Sequence, residues 1–384
     1  MKNLKSKVYK KYTFRILTSL FIVLGIIAVF NITVDPYNVF GTPDFGFNRY
    51  KPDAKRQERL TKIIGLKLNK KDLNAVFIGT SRVDWSINKE DYKKITGKNA
   101  ENMAIVAMGF DEYLELAKLC VKLHPEIKKI FLGLDLYTFN KNHKDNQTHI
   151  PFNQNKNITT QEIATVLFAG DTTVSSIITI ARNLDKQNDK TKLYSRFGTR
   201  INEKDDNIKE HFNWTYRQYY KHYDNYEFNT ENFEKLKKLK QYLNENGVEL
   251  IMFHTSGHIS DIDVIYETGM WDIFSQWKKE LTKISDIYDF YYYNKINNCK
   301  IEPEIKYFVD SAHASEVTGK MQIQTMSGIK NNYGRLNTSK TAAKNIAEDK
   351  QNLLKWRNQN PDTVKAIQEQ KNEYLKMKAE GARL

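Results

Sequence analysis

The sequence predicts an α/β protein of three layers, with helices on both faces of a mainly parallel sheet, behind one N-terminal membrane-spanning helix. Short apolar runs alternate with segments of helical period, as expected of strands covered on both faces. The runs are Ala75-Val76-Phe77-Ile78, Ile130-Phe131-Leu132-Gly133-Leu134 and Val248 to Phe253. The anchor is predicted by an uncharged apolar run, Ile16 to Val34, preceded by Lys2, Lys5, Lys7, Lys10, Lys11 and Arg15.

That run is about 19 residues long, enough for a helix to cross the hydrocarbon core. No small-residue cleavage site separates it from Asn31 and Asp35-Pro36-Tyr37, so the expectation is an uncleaved anchor rather than a signal peptide. The basic flank is expected to stay in the cytoplasm. Residues 1–15 then form a cytoplasmic stub, 16–34 the span, and everything from 35 onward lies outside. No second uncharged apolar run approaches that length.

A chain of 384 residues, 40% hydrophobic, can bury a sizeable core. Its net charge of +14 suits a polyanionic neighbour, whether nucleic acid, anionic lipid or acidic wall polymer, or simply a solvated basic surface. Neither a Cys/His finger nor an RRM signature is present, and no nucleic-acid partner is expected. Two cysteines, Cys120 and Cys299, are too few for a disulfide scaffold or a structural zinc site. Cys120 lies in an apolar helical pattern and reads as a buried thiol; whether the two are bridged stays open.

Residues 35–72 read as a linker and a helix. The main domain, 73–337, opens on the strand Ala75–Ile78. A helix follows over Asp111 to Val121, with Tyr113, Leu114, Leu116, Ala117, Cys120 and Val121 at helical spacing and His124-Pro125 as its stop. Residues 140–230 interrupt the rhythm. Rich in Asn, Lys, Asp and Tyr, with one apolar helix near Ile163 to Ile180, they read as an insertion, either a lid or a solvent-facing elaboration. Phe233, Leu236, Leu239, Tyr242 and Leu243 line a further helix that Gly247 caps before the strand Val248–Phe253. The tail, 338–384, is basic and helical, with a helix start at Asn360-Pro361. Its stripe of Val364, Ile367, Tyr374 and Leu375 is expected to dock on its own domain; a partner or a membrane surface are the alternatives.

Two motifs carry chemistry. In Phe77-Ile78-Gly79-Thr80-Ser81-Arg82 a buried strand ends in Gly-Thr-Ser. Ligands of open parallel sheets bind at the carboxyl ends of strands, and the amides of a following helix can steady a developing oxyanion. A serine there can equally serve as a helix cap. In Phe308-Val309-Asp310-Ser311-Ala312-His313 an Asp stands three residues before a His. Serine needs a base, histidine is suited to the task, and a carboxylate must hold the imidazole tautomer. Ser81, Asp310 and His313 are therefore the candidate triad.

The pair of motifs resembles the SGNH (GDSL-like) hydrolase superfamily. Gly79-Thr80-Ser81 resembles its nucleophile block, with Thr in place of Asp, and Asp310 to His313 its terminal block. With the anchor and the Ser-Arg pair, the chain looks most like the D-alanyl transfer protein of teichoic-acid modification and the O-acetyltransferases of alginate and related exopolysaccharides. The resemblance implies a flavodoxin-like sheet. It also implies an oxyanion N–H near Asn102 to Gly109, from Ala107 or Gly109. The block that usually carries an Asn donor has Asp135 here; an ionised Asp cannot donate, so Asp135 is either protonated or orients Arg82 or a substrate hydroxyl. Arg82 can pair with Asp135, bind an anionic substrate or lie on the surface. His258 and His254 follow a strand end and can line the pocket; a metal site is not expected, since no H-E-x-x-H pattern accompanies them. Trp85 either stacks on a sugar ring or packs the helix start.

The expected function is an extracytoplasmic serine O-acyltransferase of the cell envelope. An acyl group, expected to be acetyl, arrives on Ser81 from a donor delivered across the membrane, which the resemblance implies is a multi-pass acyltransferase, and leaves to a hydroxyl of an envelope or exported polysaccharide. No cofactor is required. A hydrolase with the same triad and a non-catalytic assembly protein are the alternatives.

Overall fold

The structure, a computed structural model, describes residues 2–69, 71–143, 152–185 and 207–382. It divides into two compact units, Met1–Asn69 with Asn153–Glu203, and Lys70–Phe152 with Lys204–Leu384.

Helix α1 (Lys2–Val34) opens the first unit, and its stretch Val8–Val34 is long and apolar enough to cross a membrane. It stops where Asp35 takes a left-handed backbone, φ 51°. Its final carbonyls find a partner in the buried Lys51 ammonium, which donates to Val34 O at 2.9 Å and Asp35 O at 2.6 Å. A cation there also answers the negative end of the helix dipole. The Asp35 carboxylate accepts from the N–H groups of Val39 and Gly41 at 2.7 and 2.8 Å, closing the turn that follows. Helix α2 (Glu58–Leu68) then buries Ile63, Ile64 and Leu66.

The second unit begins with β1 (Leu73–Ile78), α3 (Ser81–Ser86), α4 (Lys89–Thr96), β2 (Asn99–Asn102), α5 (Phe110–Leu123) and β3 (Lys129–Leu134). β1 and β3 are the first two apolar runs. β2, Asn-Ala-Glu-Asn, carries no apolar pattern; it is a strand because its backbone pairs with β1 at the sheet's edge. α4 is delimited by local chemistry: the Asn88 side chain accepts from Glu90 N, and Gly97 ends the helix at φ 74°.

Between 140 and 230 the chain does not behave as one insertion. Helices α6 (Thr160–Phe168) and α7 (Gly170–Leu184) belong to the first unit and are bent 41° at Ala169, where one apolar helix was expected. Helix α8 (Ile208–Tyr223) belongs to the second unit and buries Phe212, Tyr216 and Tyr219. Residues 144–151 and 186–206 of the proposed insertion lie outside the described residues.

The second unit continues with α9 (Glu231–Glu245), β4 (Glu249–His254), α10 (Ile259–Glu267), α11 (Trp271–Thr282), β5 (Ile287–Asp289), α12 (Glu316–Met326), β6 (Arg335–Asn337), α13 (Ala342–Gln359) and α14 (Pro361–Ala379). The six strands form one sheet in the order β2-β1-β3-β4-β5-β6. β1 to β5 are parallel and β6 runs antiparallel to β5. Phe77 and Phe131 stack across β1 and β3, centroids 4.5 Å apart, and join Val83, Phe253 and Phe290 in the core. The tail forms α13 and α14, and Ile367 and Tyr374 of its stripe are buried while Leu375 is exposed. Cys120 and Cys299 are both free thiols.

Candidate active site

Ser81 sits where β1 gives way to α3, and small residues make that turn possible. A Cβ on Gly79 or on Gly133 would come within 2.4 Å of Val83 Cγ2. The two glycines let the first turn of α3 settle onto the ends of β1 and β3. The cap of α3 is Thr80, whose hydroxyl accepts from Arg82 N at 3.3 Å. Ser81 is therefore not the cap, and its hydroxyl is left for other work.

That hydroxyl lies 2.9 Å from His313 Nε2. On the other side of the ring, His313 Nδ1 is 2.7 Å from Asp310 Oδ2. A carboxylate can only accept, so Nδ1 carries the proton and Nε2 offers a lone pair to the serine. Asp310 Oδ1 accepts from the N–H groups of Ala312 and His313, both at 2.8 Å. Burial pushes the Asp310 carboxyl up, but the attraction of His313, its hydrogen bond and these two amides outweigh burial and hold it below its ordinary range. The three-residue spacing works because the loop is a tight hairpin. Val309 N donates to His313 O at 2.9 Å, Phe308 and Ala314 form an antiparallel bridge, and Thr318 of α12 donates to Tyr307 O. The indole of Trp85 stacks on the His313 ring. It therefore does more than pack the helix start.

Arg82 is buried, 3% exposed, and is not a surface residue. Its Nη2 donates to Asp261 Oδ2 at 2.5 Å and its Nε to the Tyr219 hydroxyl at 2.7 Å. Its guanidinium lies over the rings of Tyr219 and Tyr291, and Tyr291 donates to Asp261 as well. With those partners Arg82 is committed inside the protein. Burial lifts the Asp261 carboxyl above its usual range even though Arg82 and the Tyr291 hydroxyl pull it down. Gly257 makes room for this cluster, since a Cβ there would stand 2.6 Å from the Tyr291 ring.

Asp135 belongs to the same network. Its Oδ2 accepts from Thr80 at 2.5 Å, its Oδ1 accepts from Thr255, and Arg82 Nε lies 3.6 Å away. Both oxygens accept, so Asp135 is not an oxyanion donor; it orients Arg82 and Thr80. Gly109 is excluded from that role by a different bond: its N–H donates to Glu112 Oε2 at 2.8 Å, closing the start of α5. Ala107 stands in a left-handed turn, φ 55°. Its segment runs beside the end of β1, with Ile105 N bonded to Gly79 O at 3.0 Å.

His258 does not line a pocket. Its Nδ1 accepts from Ser260 N, capping α10, and its Nε2 donates to Cys299 O at 2.8 Å. Its backbone N–H holds the Asp310 loop through Ser311 O at 2.8 Å. Burial pushes its pKa down to about 4. His254 is enclosed against Trp277, with Nδ1 3.1 Å from Asp289 Oδ1. Among the described residues no group of three His, Cys, Asp or Glu side chains is set to hold a metal ion.

Sequence reasoning missed Thr80 as a cap, and it missed Tyr219, Asp261 and Tyr291 altogether. It also missed His222, stacked on Tyr137 and bonded through Nδ1 to His143 Nε2 at 2.6 Å. Thr80 stands inside the first motif, but the other side chains come from α8, α10 and the segment after β5, and no local spacing connects them to the two motifs. No protein-family model matches the chain, and no similar protein is found among curated ones.

Proposed function

We propose that the chain is a membrane-anchored serine O-acyltransferase acting outside the cell on an envelope or exported polysaccharide. The observation that carries this reading is the unbroken Ser81–His313–Asp310 relay, assembled from segments more than two hundred residues apart. We read the parallel order β2-β1-β3-β4-β5 as a flavodoxin-like, three-layer sheet of SGNH type. Its nucleophile stands at the carboxyl end of β1, where such sheets bind ligands.

In the proposed cycle, Ser81 Oγ attacks the acyl carbonyl carbon of a donor ester while its proton passes to His313 Nε2. The oxyanion forms near the N–H of Ser81 and that of Ala107, neither of which donates to another group among the described residues. The intermediate collapses to an acyl-serine, and the leaving alkoxide takes the proton from His313. A polysaccharide hydroxyl then attacks the acyl carbon and gives its proton to His313; the bond from the acyl carbon to Ser81 Oγ breaks, and Oγ takes that proton back from His313. Asp310 stays ionised and stabilises the imidazolium in both halves. The six N-terminal cations support a cytoplasmic N-terminus and an extracytoplasmic main domain. A multi-pass acyltransferase supplies the acyl group, taken to be acetyl.

With water as acceptor the same relay is an esterase. Single-turnover reaction with an activated acetyl ester, with and without oligosaccharide, separates the two: transfer requires an acylated glycan as product. A serine-reactive phosphonate should label Ser81 in the native protein and not in Ser81→Ala. A native protein that never labels would refute the catalytic reading and favour an assembly role.

A further inference from the structure

Helix α7 is inside out. Its covered face is polar: Thr172, Ser175, Ser176 and Thr179 are each 0% exposed. Its open face is apolar: Val174 is 50%, Ile177 57% and Leu184 67% exposed. A helix on a water-soluble surface has the opposite pattern, because burial of apolar rather than polar area stabilises the fold. On the adjoining α6, Ile163 and Phe168 are open as well, at 46% and 40%.

The buried polar groups are tied to the end of α1. Asn31, fully buried, donates to Leu167 O at 2.8 Å and to the Thr173 hydroxyl at 3.1 Å, and accepts from Ser176 at 2.8 Å. Thr172 donates to Thr165 O across the elbow, and Ser175 to Asp53. Small hydroxyl residues and an amide bonded to one another between helices, with apolar side chains outward, are what a lipid environment selects. α1 shows where that lipid would lie, since Val23, Ile26 and Val29 on the same unit are also exposed and apolar.

We infer that α6 and α7 lie in the membrane interface beside α1, in the leaflet nearest its C-terminal end, with Val174, Ile177 and Leu184 in the acyl layer. This rests on α1 being the anchor. The pair does not span. Strands on both sides of it, β3 and β4, pair in one sheet, so the chain between them makes no net crossing. α7 alone, at about 1.5 Å per residue, reaches only about 22 Å. Asp171 and Arg182, eleven residues apart and both exposed, mark one flank of the helix, the side that would meet headgroups.

The test uses the full chain, with Cys120 and Cys299 replaced by Ala and Ser, in vesicles of phosphatidylcholine and phosphatidylglycerol. Single cysteines at Val174, Ile177, Val23 or Lys344 carry a nitroxide, and collision with oxygen is compared with collision with a water-soluble nickel chelate. Labels at Val174 and Ile177 should match Val23, with an oxygen-to-nickel ratio at least about tenfold above Lys344. A ratio like that of Lys344 at Ile177, with Val23 in lipid, overturns the inference alone. Val23 open to nickel overturns the anchor and the inference with it. A label at Ile177 shielded from both reagents also overturns it, pointing to a protein on that face.

Discussion

Trp85 lies against the imidazole of His313, ring centroids 4.9 Å apart and planes 30° from parallel. One turn after Ser81, the same short helix thus supplies both the serine and a flat wall for the imidazole bonded to it. The stack adds to the bonds at Nδ1 and Nε2 in limiting rotation about the Cβ–Cγ bond of His313. Trp85→Ala should slow phosphonate labelling of Ser81 about tenfold, and Trp85→Phe should restore most of that rate. Thermal unfolding should barely change in either variant, which separates positioning from folding.

Asp310→Asn should lower the acylation rate by about 10⁴, because an amide cannot hold the Nδ1–H tautomer as the carboxylate does. Its effect on stability has a defined sign. The folded carboxyl titrates below its unfolded value of about 3.9, so its contribution is complete above that pH and is lost as pH falls through the lower folded value. Denaturant midpoints measured from about pH 5 downward should therefore fall less steeply in Asp310→Asn than in the native chain.

Arg82→Met should destabilise the second unit by about 3–5 kcal/mol, since it leaves Asp261 and Asp135 buried without their cation. The double variant Arg82→Met with Asp261→Asn should recover part of that loss, and urea denaturation of all three proteins checks the non-additivity. An unaltered midpoint in Arg82→Met would show that the guanidinium does not balance these carboxylates.

Gly319→Ala tests how α3 is held. A Cβ on Gly319 would stand 1.7 Å from Ser86 O, a backbone atom at the end of α3 that no rotamer change can move aside. Forcing α12 away should cost about 1–3 kcal/mol and displace the helix that starts at Ser81. Lower thermal stability together with slower Ser81 labelling is expected; Gly328→Ala, where the added Cβ meets nothing within 4 Å but the φ of 79° is strained, should affect stability without that loss of labelling.

His254 and His258 should make the fold sensitive to mild acid. Burial pushes each from the usual histidine range to about 4. A folded pKa below the unfolded one means the unfolded chain binds more protons between the two values. Stability is then complete above about pH 6.5 and declines as pH drops toward 4. The midpoint of urea unfolding should fall across that window, and His258→Asn should flatten part of the slope.

The sequence by itself determined what depends on neighbours along the chain. The apolar run of α1 with its cationic flank, the three central strands, the Asn360-Pro361 start of α14 and the Asp310–His313 spacing are all local facts. Tertiary structure decided what depends on residues arriving from elsewhere. β2, β5 and β6 are strands only because partners pair with them. Asp135 could be read as a failed oxyanion donor until Thr80, Thr255 and Arg82 were seen around it. Arg82 and His258 looked like pocket residues because charge and imidazole suit pockets, but burial against Asp261 and a helix end commits them to structure. The polar face of α7 turns inward because Asn31 and Asp53 wait there to bond it, and spacing along one helix carries no information about which of its faces another segment will cover.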